Sequence, residues 1–396
     1  MRRLLIALAI AASAILVTVA VTVDGDEPAA GRHITAFTSG TSGARHAPST
    51  ATIPSSTTTT TAPIPNSDRT LALVKTVTGD IAPKSVVASG RGLVFAQNMM
   101  YKHSITVYDA AGTLVKTIPD TVDLAAFGIP GHAGTSRGAP VEVAFTPDGT
   151  KAYVSNYSMY GAGFGPEGSD DCGPGNQTDA SFVYRIDVAT LVIDQVIGVG
   201  PVPKYVAVSP DGRFVVVTNW CGYDASIIDR ATGTEVKRIP LGPYPRGIVI
   251  SPDSHTAYVA VMGTSNIARI DLASFNVSWI YNVGSGPRHL VLSPDGTELY
   301  ATLNGEGRVA KLDPINGVVQ SKVSTGQAPR SMTMSTDGKR LYVVNYESGT
   351  MSTLDTTTMG KLQDLKTGFH PIGITYDRTS GSVWVANYTG SIMIFG

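Results

Sequence analysis

The stretch PKYVAVSPDGRFVVVTNWCGYDASIIDRATGTEVKRIPLG, residues 203–242, decides the fold. Its Ser-Pro-Asp-Gly tetrapeptide (residues 209–212) predicts a tight hairpin turn, because proline fixes φ and glycine accepts positive φ. Four short runs rich in Val, Ile, Thr and aromatic residues surround such turn signals, which predicts four antiparallel strands, one blade of a β-propeller. These runs are residues 205–208, 214–218, 225–228 and 235–239.

The unit recurs along the chain with a period of 42 residues, as expected for a repeat architecture. Two copies precede this regular series. Their first residues lie 57 and 63 residues before the start of the next copy, because each carries an insertion. Each copy opens with a proline, and seven openings predict seven blades: Pro83, Pro140, Pro203, Pro245, Pro287, Pro329 and Pro371.

The two ends of the repeat region predict a closed ring. The last copy stops at Gly396, where its third strand (residues 391–395) should finish, so its fourth strand is missing. Residues 73–79, LVKTVTG, match the fourth-strand phrase LKTG at residues 365–368. An N-terminal strand that completes the last blade would leave no exposed sheet edge there. We therefore expect an all-β, seven-bladed propeller closed by an N-terminal strand, covering residues 67–396.

The chain before the repeats predicts export. Two arginines precede an uncharged run over residues 4–23, which is typical of a signal peptide or a signal anchor in residues 1–23. Residues 24–66 are rich in Thr, Ser and Pro and predict a disordered linker. We expect an extracytoplasmic protein, secreted or held at the membrane through its N-terminal segment alone. A formal net charge of -1 gives no electrostatic reason to expect a nucleic-acid partner.

The repeats resemble those of the YVTN family of β-propellers. The matching tetrapeptides and tripeptides follow Pro-Asp-Gly-type turns, although Val261 and Leu303 replace the asparagine in two copies. The resemblance covers about residues 70–396 and implies a seven-bladed propeller of the lactonase-like and surface-layer-associated kind. It indicates the fold and says little about activity. The motifs are YVSN (153–156), VTN (217–219), YVVN (342–345) and VAN (385–387).

A partial ring of cations is predicted at one mouth of the central channel. The residue after the opening proline is basic in five copies, and at the head of each innermost strand it would suit a carboxylate or phosphate ligand. Alternatively, these cations pair with neighbouring carboxylates or carbonyls as part of the repeat's own structure. The five are Lys84, Lys204, Arg246, Arg288 and Arg330.

Two histidines, His289 and His370, are predicted to flank the same mouth, where Glu142 also lies. They are the best acid–base or metal candidates in the sequence, although a lone channel histidine is more often structural. No sequence motif of a P-loop, a zinc protease or a nucleophile elbow occurs. No catalytic residue, metal site or cofactor is therefore assigned.

Two insertions, around residues 123–138 and 157–180, are predicted on the face that carries the channel mouth. They would either build a binding surface or serve only as decoration. The two cysteines, Cys172 and Cys221, fall in equivalent loops of adjacent blades, which predicts one disulfide in an exported protein.

The sequence leaves three functions open. The favoured one is an extracytoplasmic, monomeric binding module that presents the channel mouth to a protein, a glycan or a small anionic ligand. The second is a lactonase-like hydrolase that uses channel-mouth residues, and the third is a structural protein of the cell envelope.

Overall fold

A computed structural model of the chain describes residues 67–99, 101–166, 172 and 178–396. The expected signal or anchor segment (1–23) and linker (24–66) lie outside the described residues. Within the described ranges, no helix is long and apolar enough to cross a membrane. The described chain forms seven antiparallel sheets, which are the seven blades of a β-propeller. The predicted fold class is confirmed.

Blades 1 to 3 include the two long connections of the repeat region, residues 123–135 and 161–179, which both lie in blade 2, and blade 2 also has a fifth strand. A strand from the N-terminal segment, β1 (Leu73–Val77), precedes them. Blade 1 contains β2 (Pro83–Ala88), β3 (Leu93–Asn98), β4 (Ser104–Asp109) and β5 (Leu114–Pro119). Blade 2 contains β6 (Thr121–Val122), β7 (Ser136–Phe145), β8 (Lys151–Tyr160), β9 (Ala180–Asp187) and β10 (Val192–Pro201), with a 3₁₀ helix (Leu124–Phe127) after β6. Blade 3 contains β11 (Pro203–Val208), β12 (Phe214–Asn219), β13 (Asp224–Asp229) and β14 (Thr234–Pro240).

Blades 4 to 7 follow the 42-residue period without interruption. Blade 4 contains β15 (Pro245–Ile250), β16 (Thr256–Val261), β17 (Asn266–Asp271) and β18 (Val277–Ile280). Blade 5 contains β19 (Pro287–Leu292), β20 (Leu299–Leu303), β21 (Arg308–Leu312) and β22 (Val319–Ser324). Blade 6 contains β23 (Pro329–Met334), β24 (Arg340–Asn345), β25 (Thr350–Asp355) and β26 (Lys361–Lys366). Blade 7 contains β27 (Pro371–Tyr376), β28 (Val383–Asn387), β29 (Ser391–Phe395) and β1.

The inner strand of each blade is the one that contains its opening proline, which in blade 2 is β7. Each inner strand contacts the inner strands of both neighbouring blades, and these contacts run round all seven blades without a break. The apolar side chains of the second and third strands form hydrophobic layers between adjacent blades. Trp384 of blade 7, fully buried, packs beside Tyr108 of blade 1, so the last and first blades share such a layer.

The N-terminal segment closes the ring. β1 pairs with β29 in antiparallel register, from Leu73 opposite Phe395 to Val77 opposite Ile392. Just before β1, Leu71 is buried and exchanges hydrogen bonds with the side chain of Gln363 in blade 6. The segment therefore completes blade 7 and also ties it to blade 6.

The repeated turns have the hydrogen bonds that their sequences predict. In the 209–212 turn, one carboxylate oxygen of Asp211 accepts from the Ser209 hydroxyl and from the Arg213 amide. At the end of β13, Asp229 accepts from the amides of Ala231 and Thr232. These two kinds of turn share one face of the ring, and we name the opposite face, where Cys172 and Cys221 lie, the top face.

Two inner-strand glycines, Gly247 and Gly373, allow neighbouring inner strands to approach each other closely. A Cβ atom on Gly373 would lie 2.7 Å from the Cα atom of Ser85, in the inner strand of the next blade. We expect Gly373→Val to lower the free energy of unfolding by about 1–3 kcal/mol or more, because the backbone must shift. Urea unfolding measures this loss. Gly198→Val is the control, since its nearest neighbour, Phe182, is 3.8 Å away; equal losses in both variants would contradict the prediction.

Candidate anion site at the channel mouth

The inner strands surround a cavity of about 340 Å³ on the axis of the ring. Side chains two positions after each opening proline point into it, because alternate residues of a strand face the same side. Most of these side chains are polar: Ser85, Glu142, Tyr205, His289 and Ser331.

Three arginines come together above this cavity, one each from β15, β19 and β23. Burial lowers the pKa of Arg246 to about 10, and repulsion from Arg330 contributes to the same shift. The pKa of Arg288 falls well below its ordinary value, first through burial and then through repulsion by the other two arginines. In the described part of the chain, no carboxylate oxygen lies within 4.0 Å of any of these three guanidinium groups. The three positive charges are therefore close together, and Glu142 attracts Arg246 and Glu347 attracts Arg330 only from beyond ion-pair distance.

The guanidinium of Arg288 is the most enclosed of the three. The residue is 4% exposed, and the Nη1 atom donates to the sulfur of Met262 at 3.6 Å. Its Nε atom, like that of Arg330, is buried without a hydrogen-bond partner among the described residues. A neutral sulfur is a weak acceptor, so most of the hydrogen-bonding capacity of Arg288 is unused.

The two lysines of the predicted ring contact aromatic rings. The ammonium group of Lys204 lies 3.7 Å from the ring centre of Tyr157 and 5.1 Å from that of Trp220. The ammonium group of Lys84 lies 5.0 Å from the ring centre of Tyr388. Such cation–π contacts stabilise a buried cation without neutralising it.

Aromatic residues that follow the second-strand asparagines therefore form a collar round the cations. Arg330 lies over the ring of Tyr346 at 3.7 Å, and Arg246 lies 5.9 Å from the ring of Trp220. These aromatics were not assigned to the site from the sequence. Their position one residue after the asparagine, on the same face as the cations, was the signal for the contact.

His289 is in the channel, below the arginines. Its Nε2 atom is 2.8 Å from the hydroxyl oxygen of Tyr205. Burial, with Arg246 and Arg288 nearby, lowers the pKa of His289 to about 3, so the ring is neutral near pH 7. Tyr205 was not identified from the sequence as a site residue, although its alternation with Lys204 placed it on the channel side.

Glu142 is the acidic group of the channel. Burial raises its pKa to about 7, while a hydrogen bond from the Val143 amide and the charges of Arg246 and Lys84 oppose the rise. Glu142 therefore titrates near neutral pH within the field of the cations.

His370 lies away from His289, on the top face beside blade 6. Its ring stacks on Tyr346 at 4.0 Å, and its Nε2 atom is 3.6 Å from a carboxylate oxygen of Glu347. The stacked Tyr346 ring connects His370 to Arg330. His370 thus belongs to the aromatic collar, and the two histidines do not form a pair.

The two insertions contact each other on blade 2. The ring of His132, from the first insertion, stacks on Phe164, from the second, at 4.1 Å. Cys172 and Cys221 form the predicted disulfide, with their Cα atoms 5.0 Å apart. The disulfide links the second insertion to blade 3, next to Trp220 of the collar. Residues 167–171 and 173–177 of this insertion lie outside the described residues.

Among the described residues, no group of three or more His, Cys, Asp or Glu side chains is arranged to hold a metal ion. The channel mouth instead has guanidinium donors and aromatic faces. Chemically, this arrangement can bind an anion.

Comparisons with known proteins agree with the fold. No protein-family model matches the chain, and no curated protein matches it. Among solved structures, the chain is similar to Kuenenia stuttgartiensis hydrazine synthase, with a TM-score of 0.63 and 20% sequence identity. The similarity covers 80% of this chain and 96% of the hydrazine synthase chain. At this level of identity, it shows a shared β-propeller fold.

Proposed function

We propose that this protein is an exported binding module of the YVTN repeat type, and that its channel mouth binds a small anionic ligand. The carrying observation is the group formed by Arg246, Arg288 and Arg330, whose guanidiniums repel one another and have no carboxylate partner among the described residues. A bound anion would neutralise them and accept their free N–H donors.

Burial makes this group a costly feature unless a ligand uses it. Desolvated cations destabilise a fold, and partners normally accompany them. The alternative from the sequence is that the cations pair with neighbouring carboxylates or carbonyls. The binding role is favoured because no described carboxylate oxygen lies within 4.0 Å of these three guanidiniums. The cavity of about 340 Å³ below them accommodates a small molecule rather than a polymer.

Calorimetric titration with sulfate and with succinate tests the proposal. We expect the wild-type protein to bind at least one of the two with one-to-one stoichiometry, and Arg288→Met to weaken it about 10-fold or more, because a hydrogen bond to a charged group contributes about 1.5–3 kcal/mol. Arg238→Met is the matched control, since Arg238 pairs with Glu235 on the outer strand of blade 3. Equal affinities in the two variants would refute the proposal.

The affinity for sulfate should fall as the pH rises through about 7. Glu142 gains its negative charge in this range, close to Arg246 and Lys84, and so opposes a bound anion. His289, with a pKa near 3, stays neutral and adds no step. Sulfate itself does not titrate there. Glu142→Gln should remove the pH dependence in calorimetry between pH 6 and 8, and a step that persists in this variant would assign the effect to another group.

A hydrolase is the second candidate, and one observation favours it. Glu142 has a pKa near the pH at which a general base or acid works best, and it shares the cavity with the Tyr205–His289 pair. A panel of simple lactones tests this candidate. Turnover that Glu142→Gln abolishes would support it, whereas no turnover would leave the binding module as the function.

Export is part of the proposal. The Cys172–Cys221 disulfide supports it, because such bonds persist mainly in oxidising compartments. We propose residues 1–23 as the signal or anchor, 24–66 as the linker and 67–396 as the propeller. Fractionation of cells that express the full chain, with N-terminal sequencing of the product, distinguishes a cleaved signal from a retained anchor. A reduced protein in the cytoplasm would contradict export.

A further inference from the structure

The second-strand asparagine has the same role in four blades. It ends β3, β12, β24 and β28, and its amide group donates to hydroxyl or carboxylate oxygens of the third strand. In blade 3, for example, Asn219 donates to Asp224 at 2.6 Å and to Ser226 at 2.8 Å. The corresponding residues are Asn98, Asn345 and Asn387.

Blade 2 departs from this pattern. In the pairing of β8 with β9, Val154 is opposite Tyr184, and the corresponding pair in blade 3 is Val217 opposite Ser226. Tyr184 therefore occupies the position of Ser226, which accepts the hydrogen bond of Asn219 in blade 3. A large aromatic side chain thus replaces a small polar one. Neither amide atom of Asn156 has a hydrogen-bond partner in the described part of the chain. The oxygen is also unpartnered in three other blades, so the unpartnered nitrogen is what distinguishes Asn156.

A buried carboxylate lies beside this asparagine. Asp120 is 0% exposed, and no well-formed hydrogen bond reaches either carboxylate oxygen from the described residues, although the hydroxyl of Tyr184 is close enough to interact with the carboxyl. Its backbone is held in place, because its amide donates to the His103 carbonyl and its carbonyl accepts from the Gly138 amide, both at 2.9 Å. The side chain therefore occupies a defined position between β5 and β7.

Gly138 shows how close the two groups are. A Cβ atom on Gly138 would lie 2.3 Å from Oδ1 of Asn156 and 2.7 Å from Oδ1 of Asp120, so these oxygens are no more than 5.0 Å apart. Ser136, two residues earlier in β7, faces the same side of the strand, and its hydroxyl is also buried without a described partner. The oxygens of Asp120 and Asn156 thus converge where a larger residue than glycine would not fit, and Ser136 lies on the same side of β7.

An uncompensated carboxylate in this position is costly. Burial raises the pKa of Asp120 well above its ordinary range. The pKa of Tyr184 also rises, through burial, through the nearby Asp120 charge and through the hydrogen bond that its hydroxyl donates to Asp120. No described Lys, Arg or His nitrogen lies within 4.0 Å of the Asp120 carboxylate. The Tyr184 hydroxyl is a neutral donor, so no described positive charge balances the carboxylate when it is ionised.

We propose that Asp120, Asn156 and Ser136 bind a hard cation inside blade 2. Carboxylate, amide and hydroxyl oxygens are the ligands that such ions prefer. A single carboxylate balances one positive charge, which favours Na⁺ over Ca²⁺. The ion would fix the Asp120 segment, and through it the first insertion, to β7 and β8. This site is separate from the arginine group and does not depend on the proposed function.

Thermal unfolding of the full-length protein at constant ionic strength tests the site. After EDTA treatment and dialysis into choline chloride, we expect the wild-type Tm to rise by several degrees when NaCl or CaCl₂ replaces part of the choline salt. Asp120→Asn should lose this rise. Asp224→Asn, which changes the partnered carboxylate of blade 3, should keep it.

Two results would overturn the cation site. One is a wild-type Tm that is the same in all three salts, which would show that Asp120 is a neutral acid. The other is an unchanged salt response in Asp120→Asn, which would place the ion elsewhere. If Asp120→Asn fails to fold, Ser136→Ala replaces it. We expect the ion concentration at half-maximal stabilisation to increase about 10-fold or more in that variant, given the usual strength of a hydrogen-bond-type contact to a charged group, and no increase refutes the proposal.

Discussion

The variant in which Arg246, Arg288 and Arg330 are all replaced by methionine is expected to show no measurable binding of sulfate or succinate. Each guanidinium that contacts the anion contributes about 1.5–3 kcal/mol, so the loss of three corresponds to roughly 1,000-fold or more, even without strict additivity. Methionine keeps the length and the apolar contact with the aromatic collar. Isothermal titration calorimetry at low salt measures the loss.

The same variant should be more stable than the wild type in the absence of ligand. Burial and mutual repulsion already lower the pKa of Arg246 and Arg288, so both charges oppose folding. Replacement of buried charges by apolar groups of similar volume is often stabilising by about 1–4 kcal/mol. A higher Tm together with lost binding would show that the three arginines lower the stability of the wild-type fold and are needed for anion binding.

Arg238→Met serves as the control for both measurements, because Arg238 is paired on an outer strand. Unchanged sulfate binding in the triple variant would remove the arginine group from consideration. A large fall in Tm in that variant would show that the arginines are structural, as the alternative from the sequence holds.

Removal of the N-terminal closing strand is the second change with a large expected effect. A chain that begins at Asp80 lacks β1, the buried Leu71 and the ion pair of Asp68 with Arg340. The burial of one leucine alone contributes about 2–5 kcal/mol, and the backbone hydrogen bonds of β1 add to it. We expect a loss of most of the cooperative stability, measured by urea unfolding, and association through the exposed edge of β29.

A chain that begins at Ser67 is the matched control for the truncation, since it retains β1 and its contacts with blades 6 and 7. Its unfolding midpoint should equal that of the full-length protein. If the chain that begins at Asp80 unfolds at the same urea concentration as this control, ring closure does not depend on β1.

The fold was predictable because the same pattern of strands and turns recurs in seven copies along the sequence. The period of 42 residues, the Ser-Pro-Asp-Gly turns and the match of residues 73–79 to a fourth-strand phrase predict seven blades and their closure, and the structure confirms them. The phrase predicted as the closing strand, residues 73–79, ends two residues later than the observed strand Leu73–Val77. The pairing of Cys172 with Cys221 followed from their equivalent positions in adjacent blades.

The site was predictable only in part, because a repeat specifies position along a strand but not distances across the ring. Nothing in the sequence separates Lys84 and Lys204, which contact aromatic rings, from the three arginines, which lie close to one another. The sequence predicted His370 and His289 together at the channel mouth, whereas in the structure the His370 ring stacks on Tyr346 of the collar. The blade 2 cluster was missed, because Asp120 lies in an insertion and has no counterpart in the repeat.

A crystal structure of the protein soaked in selenate tests the central claim most directly, because selenium is located by its anomalous signal. We expect a selenium peak at the channel mouth, with selenate oxygens about 2.7–3.0 Å from guanidinium nitrogens of Arg246, Arg288 and Arg330. The absence of a peak there, with these arginines instead paired to carboxylates of the protein, would contradict the proposal that the channel mouth binds an anion.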